Sequence, residues 1–597
     1  MIGWRRWVAV AGFGAALGAL ALSVSGCSAG KSGLLQITPQ QYFYSAKERL
    51  ETIDERDYEI KDLEEIIRIL ENAEKDARSA EIMDKSRLYL VLALTLKARK
   101  QYMANVLKGQ YLANRAEPFF ALDVKPVLET LRIAKKWLRS CEAQFKSNAL
   151  RADLLFVSGL YHTQKMLTQR GSERRESLWT AVRAFRQCLG RSPDYQSDFR
   201  LFGRTQTPRE VKLRLAECLA FGGHPDEAWS IIADYEFMPL AEAAATDPRA
   251  DHAWLHLKGL ALAMMGAYEE AAAVLNGFKI VSPQDYPVVE EALWLLEGVY
   301  DRLREISGEE RFAMEARIVA ALLKKLKGPY SKEQYTTAAH LFPRWLPGDL
   351  TYFAAVRAHL AGEFAKARDL VAGIRHRGLL SRGMRAAAQI LALEADLYGN
   401  VRVADEMLEE IVGLAFDSEL TPLQKERVGF LLSRYLMSED RQFGQGRLEG
   451  EGQSFARSWL GKPWTLQLRY ERGRVSPPPP GGPARPPAAQ RPAPGGMPPA
   501  TGPGTEESKP ENSSLIAEIY VNRPDDWITS VNLHLVELPQ FTLLGKGRLV
   551  GREEEGKGWI FKGDDIDELK RDHRYLVLLE YDTSEGEKST QGVLLKP

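Results

Sequence analysis

The chain has 597 residues, and its 80 Lys plus Arg are balanced by 80 Asp plus Glu. That length exceeds one ordinary domain and predicts two to four, and a net charge of zero gives no reason to expect a nucleic-acid partner. Four cysteines, Cys27, Cys141, Cys188 and Cys218, are too few for a disulfide framework. The last three lie in apolar helical patterns, where a free thiol behaves as a small core hydrophobe. A Cys188–Cys218 bridge between neighbouring helices is the alternative in an oxidising compartment.

At the N-terminus the basic pair Arg5-Arg6 precedes an apolar run from Trp7 to Val24. A basic stretch, an apolar stretch and small residues together have the form of an export signal. The run closes on Val24-Ser25-Gly26-Cys27, which resembles a bacterial lipobox. The resemblance implies cleavage before Cys27 and lipidation of that cysteine. Residues 1–26 would be a lipoprotein signal peptide and 27–37 a lipidated tether. Ser28 stands where an aspartate would resemble an inner-membrane retention signal, so the resemblance implies the outer membrane, facing the periplasm. An ordinary signal peptide or a single anchor helix is the alternative, although Gly12, Gly14, Gly18 and Ser23 make a poor spanning segment.

From residue 38 to 445 the sequence reads as helices. Ala, Leu, Glu, Arg and Lys dominate, apolar residues recur at three and four spacing, and breaks come every one or two dozen residues. The clearest unit runs from Ala253 through Gly259, Gly266, Tyr268 and Ala271 to Pro283. It resembles the tetratricopeptide repeat. Gly259 and Ala271 match the small residues that let paired helices approach, Gly266 and Tyr268 match the turn, and Pro283 matches the terminating proline. Ala216, Gly223 and Ala228 repeat these offsets, as do Ala355, Gly362, Phe364 and Ala367, and Ala392, Gly399 and Ala404. An earlier unit holds Gly159, Ala181, Phe185 and Pro193, with an expected insertion of about ten residues between its helices, judged against the family's repeat length. More degenerate pairs are expected at 40–75, 86–145 and 288–328. The expected fold is mainly α, a tetratricopeptide-like solenoid whose stacked repeats leave a face for proteins or peptides. A globular all-α bundle is the alternative.

Residues 446–472 read as a capping or transition segment, with a helix and a strand against the last repeat. Residues 473–513, rich in Pro and Gly, cannot bury enough apolar surface to fold. They read as an extended spacer with a reach on the order of 100 Å. Beyond them the period changes to two, in Ile516–Val521, Val531–Leu538 and Tyr575–Tyr581, with a strand pair around Glu553-Glu554-Glu555-Gly556. Residues 514–597 therefore read as a small all-β sandwich. Leu569 before Tyr575 resembles the tyrosine corner of fibronectin type III and immunoglobulin-like domains, and Trp527 or Trp559 is the expected core aromatic.

Motifs for chemistry are scarce. His252 and His256 have helical metal-ligand spacing, but Ala253 stands where the zincin motif needs glutamate. The expected metal set is none, with both histidines at a helix surface or interface. Arg375-His376-Arg377 is basic, and Asp525-Asp526 and Glu553 to Glu555 are acidic; solvated loops account for all three. There is no phosphate loop and no Gly-x-Ser-x-Gly elbow. The sequence thus predicts no enzyme and no cofactor, but a lipid-anchored envelope scaffold with protein or peptide partners and membrane contact through its lipid. Its nearest analogues would be the repeat lipoproteins of outer-membrane assembly, secretion or pilus machines. An adhesion or glycan-binding protein acting through the β-sandwich is the rival, and an enzyme site hidden among the repeats is a second.

Overall fold

The computed structural model describes residues 38–53, 59–107, 124–145, 149–192, 194–201, 203–236, 248–280, 288–326, 342–375, 379–399, 405–415, 420–437, 465–471, 513–520, 530–538, 542–554, 558–566, 574–582 and 588–595. Cys27, Pro283 and Ala404, residues 1–37 with the expected signal and tether, and the 473–512 proline-rich stretch lie outside them.

Among the described residues the protein is mainly helical, and its helices form antiparallel pairs. The first stack is α1 (Pro39–Thr52) with α2 (Ile60–Asp76), α3 (Ala80–Leu107) with α4 (Lys125–Gln144), α5 (Ala149–Leu167) with α6 (Gly171–Arg191), α7 (Pro208–Gly222) with α8 (Pro225–Glu236), α9 (Pro248–Met264) with α10 (Tyr268–Leu275), and α11 (Val288–Ser307) with α12 (Glu310–Lys325). The first helix of each pair also touches the first helix of the next, from α1 through α3, α5, α7 and α9 to α11. These first helices make one continuous face. A second, shorter stack follows: α13 (Pro347–Leu360) with α14 (Phe364–Arg375), α15 (Arg382–Tyr398) with α16 (Asp405–Ala415), and α17 (Pro422–Met437).

The repeat positions do what their chemistry demands. Ala181, Ala216, Ala228, Ala271 and Ala367 are fully buried. A Cβ on Gly159 would lie 2.5 Å from the ring of Phe185, and one on Gly259 would lie 2.5 Å from Leu275. Gly223, Gly266 and Gly362 end α7, α9 and α13 with φ of +91°, +79° and +82°. At each the next amide donates five residues back and the glycine amide donates three back, as in Ala267 to Leu262 and Gly266 to Ala263. This is the Schellman closure, which needs a left-handed residue. Tyr268 and Phe364 then open the partner helices, Tyr268 beside Phe342 and Phe364 beside His359 and Tyr398.

Two repeat expectations are corrected. Gly399 closes α15 with φ −78°, an ordinary right-handed cap. The expected insertion between the helices of the Gly159 unit is not there: α5 and α6 are joined by Thr168, Gln169 and Arg170 alone, and run for 19 and 21 residues. The extra residues extend the helices because Arg, Glu and Gln offer no break. The difference at the glycines is measurable. Gly362→Ala has open space around its new Cβ, so it should lose about 1–2 kcal/mol from the left-handed backbone alone. Gly399→Ala should be neutral or stabilising by up to ~1 kcal/mol. Equal urea midpoints for the two variants would refute this assignment.

The second stack does not prolong the first. It folds back onto α6, α8 and the α9–α10 turn. Trp345 Nε1 donates to the Met264 carbonyl at 2.7 Å, and Leu350 sits over Gly266. Tyr352 on α13 donates its hydroxyl to Asp226 on α8 at 2.8 Å, and Arg186 on α6 pairs with Glu426 on α17 at 2.9 Å.

The described strands of the C-terminal region are β3 (Thr465–Glu471), β4 (Ser513–Tyr520), β5 (Ser530–Leu538), β6 (Thr542–Glu554), β7 (Gly558–Ile566), β8 (Arg574–Asp582) and β9 (Lys588–Leu595), all paired antiparallel in the order β3-β4-β7-β6-β5-β8-β9. A short hairpin, β1 (Arg200–Leu201) with β2 (Arg204–Thr205), interrupts the helices. The strand expected against the last repeat is β3, and it joins this sheet instead, with Glu471 opposite Ser514 and Thr465 opposite Tyr520. The strands on either side of the stretch read as a spacer between domains are therefore neighbours in one sheet. Backbone pairing outweighs the side-chain pattern there, because an edge strand satisfies its ladder wherever a partner edge is free. Tyr575 is buried in β8, opposite Glu537 and Leu595. The crossover its hydroxyl would tie at Leu569 lies outside the described residues.

Candidate functional site

The face made by the first helices is filled at its N-terminal end by the protein's own chain. Residues 194–207, linking α6 to α7, cross α1, α3 and α5. Tyr195 and Phe199 are buried there, Phe199 edge-on to Tyr89 at 6.1 Å and both rings against Phe156. Asp153 on α5 accepts the Tyr195 hydroxyl at 2.7 Å and the Asp198 amide at 3.2 Å. Burial still lifts its carboxyl to about 6 against those two bonds. The Asp198 carbonyl accepts from Lys47 at 2.7 Å, and its carboxylate lies 3.6 Å from Lys47 and 3.5 Å from Lys85. The Arg200 amide donates to Glu51 at 3.1 Å. A hairpin-forming segment that bears two aromatics is thus held in cis by carboxylates and lysines on three successive first helices. Sequence reasoning missed it. The signal was there in the cluster Tyr195, Phe199, Leu201 and Phe202, too apolar for a solvated loop.

Beyond this segment the same face opens into a cleft. The β1–β2 hairpin supplies one wall through Leu201, Arg204 and Gln206, and Arg99 stands at the end of α3 nearest it. Glu210, Leu213, Arg214 and Glu217 line it from α7, and their spacing puts them on one helix face. Ala253, His256, Leu257 and Leu260 line it from α9, and Val288 and Glu291 from the start of α11. Arg214 binds Glu217 at 2.7 Å. Burial raises the Glu217 carboxyl, but Arg214 and Arg99 outweigh it and hold the group below its ordinary range. Burial pushes His256 down to about 4, so at neutral pH it presents an uncharged imidazole with one donor and one acceptor. The cleft therefore offers aliphatic floor, guanidinium donors and a neutral imidazole, which suits a peptide with exposed backbone and a few polar side chains.

The His252 ring lies 5.7 Å from Phe278, and His256 lines the cleft with Glu217. Among the described residues no group of three His, Cys, Asp or Glu is placed to hold a metal ion. Cys141, Cys188 and Cys218 are free, buried thiols, so no Cys188–Cys218 bridge forms. His376 and Asp525-Asp526 lie outside the described residues.

A second, small pocket lies where the two stacks meet. Arg427 on α17 sends Nε to Glu394 Oε1 at 2.7 Å and a second nitrogen to the other carboxylate oxygen. Its third nitrogen lies 3.9 Å from Glu227 on α8. Glu394, Glu227 and His359 are 3–4% exposed. Burial lifts the Glu227 carboxyl to about 8 despite Arg427, and pushes His359 down to about 4. At neutral pH the group reduces to one forked ion pair, Arg427 with Glu394, beside neutral partners.

The architecture is that of a helical-repeat protein with paired antiparallel helices. No protein-family model matches the chain, and no curated protein is significantly similar to it. Among the described residues no helix is long and apolar enough to cross a membrane.

Proposed function

We propose that this protein is a lipid-anchored scaffold of the bacterial cell envelope that holds an extended segment of a partner protein in the cleft between α7, α9 and α11. The observation that carries this reading is the 194–207 segment. The face of first helices already binds one aromatic-bearing hairpin of the chain, and the cleft continues that face beyond the hairpin. A partner peptide would lie on from Arg204, its backbone met by Arg99 and His256 and its apolar side chains by Leu213, Leu257 and Leu260.

The tetratricopeptide class of the repeats rests on the Schellman glycines and the buried alanines. The location, at the outer membrane and facing the periplasm, rests on the lipobox resemblance at Cys27. A two-layered β-sandwich is the reading of the C-terminal strands, supported by the register of β6. Its first half pairs with β5 through Val531–Leu549 and Glu537–Thr542, and its second half with β7 through Val550–Lys562 and Glu554–Gly558. A strand that divides its length in this way turns a corner between sheets.

The test is photo-crosslinking in cells from Leu213 or Ala253, with exposed Ala273 on the opposite helix α10 as control, run beside Cys27→Ser. The expected result is a discrete envelope partner captured from the two cleft positions alone, and release of the Cys27→Ser chain from the membrane fraction. The same products from Ala273, or none from the cleft, would remove the docking role; membrane retention without Cys27 would remove the anchor.

A further inference from the structure

The first stack ends at α12, whose outer face exposes Met314 and Ile318 among charged side chains. In a continuous array the next pair would cover it, and terminal repeats normally carry a polar outer surface. Here α13 goes instead to α8 and the α9–α10 turn. Met314 is left 61% exposed and Ile318 45%, with Ile306 at the end of α11 69% exposed. Glu310, Met314, Ala321 and Lys325 succeed one another one turn, two turns and one turn apart, all exposed and on one stripe beside Ile318.

The stripe is acidic at its start and basic at its end, with Met314, Ile318 and Ala321 between them and Arg317 among these at its centre. We infer that this stripe pairs with the same stripe of a second copy of the chain, antiparallel about a two-fold axis between Arg317 and Ile318. In that register Glu310 faces the Lys325 position of the other copy, twice. Met314 faces the Ala321 position, so a long side chain meets a short one, as packed helices require. Ile318 lies beside its own symmetry equivalent. A parallel pairing would set Glu310 on Glu310 and Lys325 on Lys325, so charge selects the antiparallel one. Such self-complementarity is what a two-fold interface requires. Glu310 does bond Arg317 within its own helix at 3.4 Å, but the two side chains are 80% and 77% exposed. Such an exposed pair is held weakly and yields to a better partner.

The test is sedimentation of the full-length chain in detergent, with thermal unfolding followed in parallel to confirm the fold. The wild-type chain should be a dimer, and Met314→Glu/Ile318→Glu a monomer. Glu310→Lys alone should weaken dimerisation at least tenfold, and Glu310→Lys/Lys325→Glu should restore it. A wild-type monomer would overturn the inference; that outcome includes the case in which residues 327–341 cover α12 in cis. A dimer untouched by the Met314/Ile318 replacements, or a charge swap that fails to rescue, would overturn it equally. None of these outcomes bears on the cleft.

Discussion

Replacing Arg427 by methionine should destabilise the protein by about 3–5 kcal/mol, the cost of leaving a buried carboxylate without its partner. The burdened group is Glu394, which is 3% exposed and takes both of its short contacts from this one guanidinium. Glu227 is the lesser problem, because burial already favours its protonated form. The double replacement Glu394→Leu/Arg427→Met should therefore recover most of the loss, since apolar groups of similar volume fill such sites without a desolvation cost. Urea unfolding followed by circular dichroism measures both. If the double variant is as unstable as Arg427→Met, the lost stability comes from packing rather than from charge. The site also joins the stacks, α17 and α15 on one side and α8 on the other. Unfolding of the single variant should then begin with release of α13–α17 from α8, detectable as early loss of protection at Tyr352 and Val356.

Phe185→Ala should cost about 3–5 kcal/mol, the usual range for deleting a fully buried ring. Phe185 is 0% exposed, packs edge-on to Phe156 at 6.0 Å, and occupies the room that Gly159 leaves by lacking a side chain. Gly159→Ala should cost about 1–3 kcal/mol by overpacking that contact. In Phe185→Ala the same added methyl enters vacated space, so the double variant should lose less than the sum by roughly 0.5–3 kcal/mol. Strict additivity in a double-mutant cycle would show that the glycine does not set the spacing between α5 and α6.

The close fit at Gly159 and Gly259 was legible in the sequence because it is local. A small residue on each of two linked helices is a spacing requirement that survives any arrangement of distant parts. The left-handed turns at Gly223, Gly266 and Gly362 were legible for the same reason. Gly399 shows the limit of that reading: its offset is right, yet its helix closes with a right-handed cap, because offset fixes position and not φ.

The cleft was only half legible. Repeats imply a face for binding, but not which part of it is open. Tyr195 and Phe199 close its first half through contacts with Tyr89 and Phe156, far away in sequence. Arg99, Arg204, Glu217 and His256 likewise come from four different elements, with no spacing to connect them.

By itself, then, the amino-acid sequence determined that this protein is built of paired helices, that pairs turn at Gly223, Gly266 and Gly362, which small residues sit inside them and that strands follow the proline-rich stretch. Each of these follows from the chemistry of residues a few positions apart. Only the tertiary structure decided that the stack breaks after α12, that Arg427 binds Glu394 against Glu227, that Met314 and Ile318 of α12 are exposed, and that β3 pairs across the proline-rich stretch with β4. Those outcomes depend on which surfaces meet. Burial makes one arrangement of surfaces better than its rivals through contacts between residues up to hundreds of positions apart, and no local pattern records them.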